Sequence, residues 1–139
     1  MAVRWFVDTT VFLLASGDEH PARVDATDFL ARARDGAQGL HVSVEALQEF
    51  TFHRLRRVER AQALDQSEAL ARAVVVHPFD AEIMARSVAL MRVTSLRGRD
   101  AVHAATALAA GFDQIVTTDR DFEGVPGLRR IDPRDAKVS

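Results

Sequence analysis

Cysteine is absent from this chain of 139 residues, which excludes disulfide scaffolds, zinc ribbons and thiol catalysis together. Any metal must then be held by oxygen or imidazole. Lysine is almost absent: of the 18 basic residues only Lys137 is one, and the rest are arginines. The planar arginine fork grips phosphate and carboxylate at two points, although codon bias produces the same enrichment. Long apolar runs are missing. Nothing approaches the ~20 residues of a membrane helix, and Asp8, Asp18, Glu19, Asp25 and Asp28 occupy the region where a signal peptide is apolar. The expected location is the cytoplasm. A strong charge balance is lacking too. The formal net charge of -2 argues against gripping nucleic acid through a broad basic face, while leaving room for a local basic patch.

What is present is the composition of a globular chain, 47% hydrophobic and 27% charged, at about the size of one ordinary domain. A single domain over 1–139 is expected. Val3 to Val7 is an apolar, aromatic run that suits a central strand. Thr9 or Thr10 is the expected cap of a short helix through Leu14, and Ala22 to Arg34 has helical spacing before Gly36 and Gly39. Leu40 to Val42 reads as the second strand. Ser43 then caps a helix whose apolar stripe is Val44, Leu47, Thr51, Leu55 and Val58, with Glu45 and Glu49 on its flank. A helix over Glu59 to Ala73 precedes a β-branched strand at Val74 to Val76. Pro78 and Asp80 open a helix through Val93, and the Ala-rich stretch Arg99 to Ala110 forms another, stopped by Gly111. Gln114 to Thr117 makes the fourth strand. Past the Gly124 to Gly127 turn, Leu128 to Ile131 makes a short edge strand.

Strands separated by helical stretches of a dozen residues pair in parallel, which predicts a three-layer α/β/α sandwich around a central, mostly parallel sheet of four to five strands. In such sheets ligands lie beyond the carboxyl ends of the strands, where strand order reverses. Asp8 ends the first strand and Asp119 follows the fourth, while Glu49 and Asp100 lie on helices between them. At ~4 Å each like-charged pair repels by about 1 to 4 kcal/mol, so a converged cluster either protonates in part or recruits a cation. Oxygen donors select Mg²⁺ or Mn²⁺ over zinc. Such an ion polarises a phosphodiester, acidifies its bound water and fixes an in-line attack, which is sufficient chemistry for a nuclease.

Four segments carry a resemblance. Phe6-Val7-Asp8-Thr9-Thr10-Val11-Phe12, Gln48-Glu49-Phe50, Arg99-Asp100-Ala101-Val102-His103-Ala104-Ala105-Thr106-Ala107 and Thr117-Thr118-Asp119-Arg120-Asp121-Phe122 resemble, in this order, the four signature blocks of PIN domains. The motif spelling and the chain length are similar to the VapC toxin ribonucleases of bacterial type II toxin-antitoxin pairs. That resemblance implies an endoribonuclease using Mg²⁺, with Mn²⁺ as substitute, acting on tRNA, rRNA or mRNA. It further implies a homodimer silenced by a cognate VapB-type antitoxin. Matched residue by residue, Asp8, Glu49, Asp100 and Asp119 are the catalytic and metal-binding acids. Thr10, Thr118 and Asp121 are supporting residues. Thr10 stands where asparagine or serine is frequent, but it retains a hydroxyl.

Competing readings exist at each position. Asp8 is well placed to cap the next helix, Asp100 to meet the positive end of its helix dipole, and Asp119 to cap a turn with Asp121 as rival. Glu45, one turn before Glu49, competes with it. Arg54, Arg57 and Arg60 recur at threefold spacing, and Arg54, Arg57 and Arg99 are candidate contacts for RNA phosphates, against the alternative of a solvated arginine face. Of the histidines His20, His41, His53, His77 and His103, none with metal-site spacing, most read as surface residues and His103 as packed beside Asp100. A receiver domain is discarded for want of a lysine after a late strand, and a dehalogenase-like phosphatase because Thr10 stands where its second acid belongs. The surviving alternative is a catalytically silent PIN-like protein that binds metal, RNA or a partner.

Overall fold

The computed structural model describes residues 3–17, 19–36 and 38–137. Strand β1 (Arg4–Phe6) forms in the aromatic run, and helices then alternate with further strands. In chain order these are α1 (Thr9–Ser16), α2 (Arg23–Asp35), β2 (Gly39–Ser43), α3 (Val44–Leu55), α4 (Arg60–Ala73), β3 (Val75–His77), α5 (Ala81–Val93), α6 (Arg99–Ala109), β4 (Gln114–Val116) and β5 (Arg129–Ile131). Short 3-10 turns at Arg120–Phe122 and Pro133–Asp135 flank β5.

β1 pairs with β2, β2 with β3 and β4 with β5, all in parallel. A parallel bridge between Val7 and Val116 joins the two groups, so the strand order is 3-2-1-4-5. The chain leaving β1 serves both neighbours. Val7 N–H donates to His41 O of β2 at 2.9 Å, and Asp8 N–H donates to Val116 O of β4 at 3.0 Å. Strand order therefore reverses between β1 and β4, and the crevice beyond their carboxyl ends is where an open parallel sheet binds its ligand. Asp8 and Thr117 stand on its rim.

Successive strand side chains point to opposite faces, and both faces are covered. Trp5, Val7, Val42 and Val116 pack with Val11, Phe12, Phe29, Ala46 and Phe50 from α1 to α3. Phe6 and Ile115 meet Ala101, Ala104, Ala107 and Phe112 on the opposite side. Burial on both faces explains why the strands read as continuous apolar runs rather than alternating ones. Each fully buried phenylalanine, such as Phe6 or Phe29, contributes about 1.5 to 3 kcal/mol. In α6, residues 101 to 107 are all buried, because its alanines let the helix lie close to the sheet and to α5. Gly111 ends it at φ +86°, where Phe112 N–H returns to Ala107 O at 2.9 Å, a left-handed stop that disfavours side chains.

Three local expectations change. The N-cap of α1 is Asp8 and not a threonine, and its side chain makes no cap bond, since both threonines lie inside the first turn. β3 starts one residue later than expected, because Val74 is the extended end of α4. In α3 the innermost residues are Ala46, Phe50 and Arg54, whereas Val44 of the expected stripe is exposed. That helix has two neighbours. Leu47 packs against the core while Thr51 turns toward α4, where its Oγ1 bonds Ser67, so the expected stripe is divided between the core and a second helix. Among the described residues no helix is long and apolar enough to cross a membrane.

Candidate metal centre

Asp8 is the innermost acid of the crevice, 2% exposed. Its Oδ2 accepts hydrogen bonds from Thr10 Oγ1 at 2.9 Å and Thr117 Oγ1 at 2.8 Å. Thr10 in the first turn of α1 and Thr117 just past β4 thus hold one carboxylate oxygen and leave Oδ1 facing the crevice. Burial raises its pKa above the ordinary carboxylate range, opposed by nearby His103 and by the two hydroxyls.

Glu49 projects from α3 at the side of the crevice, and its position begins with the cap. Ser43 Oγ accepts Ala46 N–H at 3.1 Å, fixing where α3 starts, and two turns later Glu49 Oε1 accepts Thr9 Oγ1 at 3.1 Å. The same oxygen lies 2.7 Å from His103 Nε2. Burial pushes the Glu49 pKa up, but the His103 hydrogen bond and field, the Thr9 hydroxyl and Arg99 outweigh it and hold the carboxyl below its usual range. His103 is the converse case. Burial disfavours its charged form, yet the bond to Glu49 and the fields of Asp8, Glu49 and Asp100 raise the imidazole above its ordinary range.

Asp100 enters from the first turn of α6 and Asp119 from the turn after β4. Carboxylate oxygens of Asp100, Asp119 and Asp121 lie within 4.8 Å of one another, and Asp8, Asp100 and a His103 ring nitrogen form a second such group. Asp100 belongs to both. Burial, then repulsion from Asp8 and Asp119, push its pKa up to about 6. At ~4.8 Å each pair of carboxylates repels by about 1 to 3.5 kcal/mol, and a divalent cation reverses the sign of that interaction. An all-oxygen donor set under mutual repulsion fits Mg²⁺ or Mn²⁺. Asp119 also fills its quieter role: its Oδ1 accepts Asp121 N–H at 2.9 Å, capping the 3-10 turn.

Of the residues singled out by sequence, Asp8, Asp100, Asp119 and Asp121 come together, with Thr10 bonded to Asp8. Glu49 stands beside them, tied to His103 and Thr9. Glu45 does not reach the cluster; it pairs with Arg99 Nε at 3.3 Å. Arg99 also places NH1 3.7 Å from Glu49 Oε2, so it bridges two glutamates of this chain. Arg54 is corrected more strongly. It is buried, with Nε donating to Gln66 Oε1 at 2.8 Å, because α4 packs over that side of α3. It belongs to no solvated arginine face. Thr118, Arg54 and Arg57 line a groove of about 440 Å³ that opens beside Thr10, with Leu13 and His53 on its walls.

Two functional neighbours escaped the sequence reading. Thr117 anchors Asp8 and also accepts Asp119 N–H at 3.0 Å. Arg130 of β5 donates to the carbonyls of Thr118 and Asp119, both at 3.1 Å, holding the turn that presents Asp119. His41 is an exception to the surface reading given to most histidines: it is buried, its Nδ1 2.9 Å from His77 Nε2. That pair sits on the α6 face of the sheet against Phe6 and Phe112.

Comparison with known proteins bears on this crevice. A sequence profile of the PIN domain matches residues 5–128. The chain is 30% identical over 128 residues to Ribonuclease VapC13 of Mycobacterium tuberculosis, covering 90% of this chain and 97% of that one. It is 35% identical over 116 residues to Ribonuclease VapC23 of the same species, covering 82% and 91%. Among solved structures, VapBC2 from Rickettsia felis bound to a promoter DNA fragment shares the fold with a TM-score of 0.71 at 15% identity, over 94% of this chain and 98% of that one. Mycobacterium tuberculosis VapC20, described as a sarcin-ricin loop cleaving toxin, does so with a TM-score of 0.70 at 19% identity, over 87% and 94%. Because the likeness runs from β1 to the approach to β5 and does not rest on a single motif, the chain belongs to the PIN-domain family, among the VapC ribonucleases.

Proposed function

We propose that this chain is the toxin of a VapBC-type toxin-antitoxin pair, a single-domain endoribonuclease dependent on Mg²⁺, with Mn²⁺ as substitute. The observation that carries the reading is the pair of overlapping acid groups that share Asp100 at the point where strand order reverses. Asp8, Asp100 and Asp119 are the residues that would hold the cation, with Asp121 at the outer edge and Glu49 at the inner side. When bound, a divalent cation supplies Lewis acidity, polarising a phosphodiester and acidifying water.

The remaining work belongs to the protein. Thr10 and Thr117 fix the rotamer of Asp8, so that its free oxygen is aimed before any substrate arrives, an arrangement that avoids reorganisation during the reaction. Arg130 holds the turn that carries Asp119. The groove beside Thr10 and Thr118 is the path for the RNA strand, with Arg57 beside its phosphates. Arg99 is held between Glu45 and Glu49, and Arg54 lines the same groove while tied to Gln66. Relatives of this fold are solved as VapBC complexes, which supports a VapB-type antitoxin as partner, and the family likeness supports a homodimer in the cytoplasm.

The test is cleavage of end-labelled cellular RNA by the purified protein in Mg²⁺, Mn²⁺ or excess chelator, beside Asp8→Asn. Cutting that needs the cation and Asp8 is the expected result. A parent that leaves all RNA intact in Mn²⁺, or an Asp8→Asn protein that cuts equally well, overturns the assignment.

A further inference from the structure

Both ring nitrogens of His103 are engaged, although the side chain lies deep in the protein at 1% exposure. Nε2 is 2.7 Å from Glu49 Oε1, and Nδ1 shares a 2.6 Å hydrogen bond with Ser43 Oγ. Ser43 is the residue that caps α3, the helix on which Glu49 rides. Thr9 of α1 donates to the same glutamate oxygen. Three helices, α1, α3 and α6, therefore meet through one carboxylate. A histidine that ligates a cation must turn a nitrogen lone pair toward it. Here Nε2 points its proton at Glu49 and Nδ1 faces away toward Ser43, so closeness to Asp8 and Asp100 does not make His103 a ligand.

Glu49 is also drawn the other way. Its second oxygen lies 3.7 Å from Arg99, which itself pairs with Glu45 farther from the crevice. A glutamate side chain with several free rotamers, held on the inner side by the Thr9 hydroxyl alone, follows the exposed guanidinium outward. We propose that His103 is a positioning residue, fastening Glu49 at the side of the acid crevice against the pull of Arg99 and so supporting RNA cleavage without touching RNA. The inference rests on the nuclease reading above. Outer partners that orient acidic groups in this way are typically worth ~10- to 100-fold in activity.

The experiment compares His103→Leu and His103→Gln in the parent and in a Glu49→Gln background, with RNA cleavage in Mn²⁺ as one readout. His103→Leu is expected to lower kcat by ~10- to 100-fold with a smaller change in KM. His103→Gln, which keeps a donor for Glu49, recovers most of the loss. In the Glu49→Gln background His103→Leu changes the rate less than about twofold, because the carboxylate that His103 positions is already gone. A second readout needs neither activity nor metal. The ring ¹⁵N shifts of His103 should move on Glu49→Gln while those of His20 and His53 stay put. These shifts and the His103→Gln variant keep the test decisive should His103→Leu fail to fold. An active parent whose folded His103→Leu variant cuts at the parental rate overturns the inference. So does a full second loss in the Glu49→Gln background, or a His103 ring that does not respond to Glu49→Gln. A parent inactive in Mn²⁺ sinks the nuclease reading first, and this inference with it.

Discussion

Asp8 and Glu49, on the inner side of the crevice, receive hydrogen bonds from four side chains, those of Thr10, Thr117, Thr9 and His103. Among the described residues the Asp100 carboxylate, at the mouth, receives none, and the Asp119 carboxylate receives only the N–H of Asp121. The inner acids are oriented and compensated by protein donors. The outer ones lack such donors, and burial, then uncompensated repulsion from Asp8 and Asp119, pushes the pKa of Asp100 up to about 6. The contrast teaches where a cation gains most: at the mouth, where its charge replaces repulsion, and against Asp8, whose orientation is already set.

The sharpest way to break that contrast is to neutralise one acid from each side. Asp8→Asn and Asp100→Asn are each expected to lose more than ~100-fold in RNA cleavage, beyond what outer partners of a ligand are worth, whereas exposed Asp121→Asn loses less than tenfold. Equal losses at all three positions, read from initial rates in Mn²⁺, contradict the division. Next in size is stabilisation by the cation. At a hundred times its dissociation constant a ligand specific to the native state adds about 2.7 kcal/mol, roughly 5 to 15 °C in Tm for a chain of this length. Mn²⁺ should produce that rise by calorimetry in the parent and not in Asp100→Asn.

Arg130→Ala probes the outer side through its backbone, and its expected loss is about tenfold, the lower end for residues that orient a ligand. Arg130→Lys recovers little, since one ammonium cannot span two carbonyls as the fork does.

The smallest effects concern pH, measured in chelator. The folded pKa of Asp100, about 6, lies above its ordinary value of 3.8, so its charged form opposes folding above pH 6 and the opposition fades as pH falls toward 4. Asp100→Asn should therefore melt a few degrees higher than the parent at pH 7.5, with the gap closing in acid. The His41–His77 pair has the opposite sign. Burial, then each pair's cationic neighbours, lower both histidines below 6.5, so their contribution is present above that pH and is lost as pH falls through their folded values. A His41→Gln/His77→Gln protein should show a flatter acid limb than the parent. A steeper one would mean that the pair is not held neutral.

Much of this architecture is legible in the chain. The β-branched runs, the Ser43 cap and the glycine stop at 111 mark local chemistry that neighbours do not overrule, and the acids follow strand ends in an order that an α/β topology turns into proximity. What stays hidden is long-range bonding. His103 reads as a packed residue because Ser43 and Glu49 are 60 and 54 positions away, and no spacing rule connects them. Arg130 works on main-chain carbonyls, which carry no residue signature. Arg54 looks solvated by its spacing and is buried because α4 lies over it, a fact set by tertiary packing alone.

One consequence of α6 extends beyond chemistry. Seven successive residues without a solvent side leave almost no position between 101 and 107 that accepts a larger side chain, since overfilling a packed interior typically costs about 1 to 3 kcal/mol. By contrast α4 buries only Ala63. Adaptation to a different RNA or a different inhibitor is thereby steered onto the outer helices, while the segment carrying Asp100 and His103 drifts slowly or not at all.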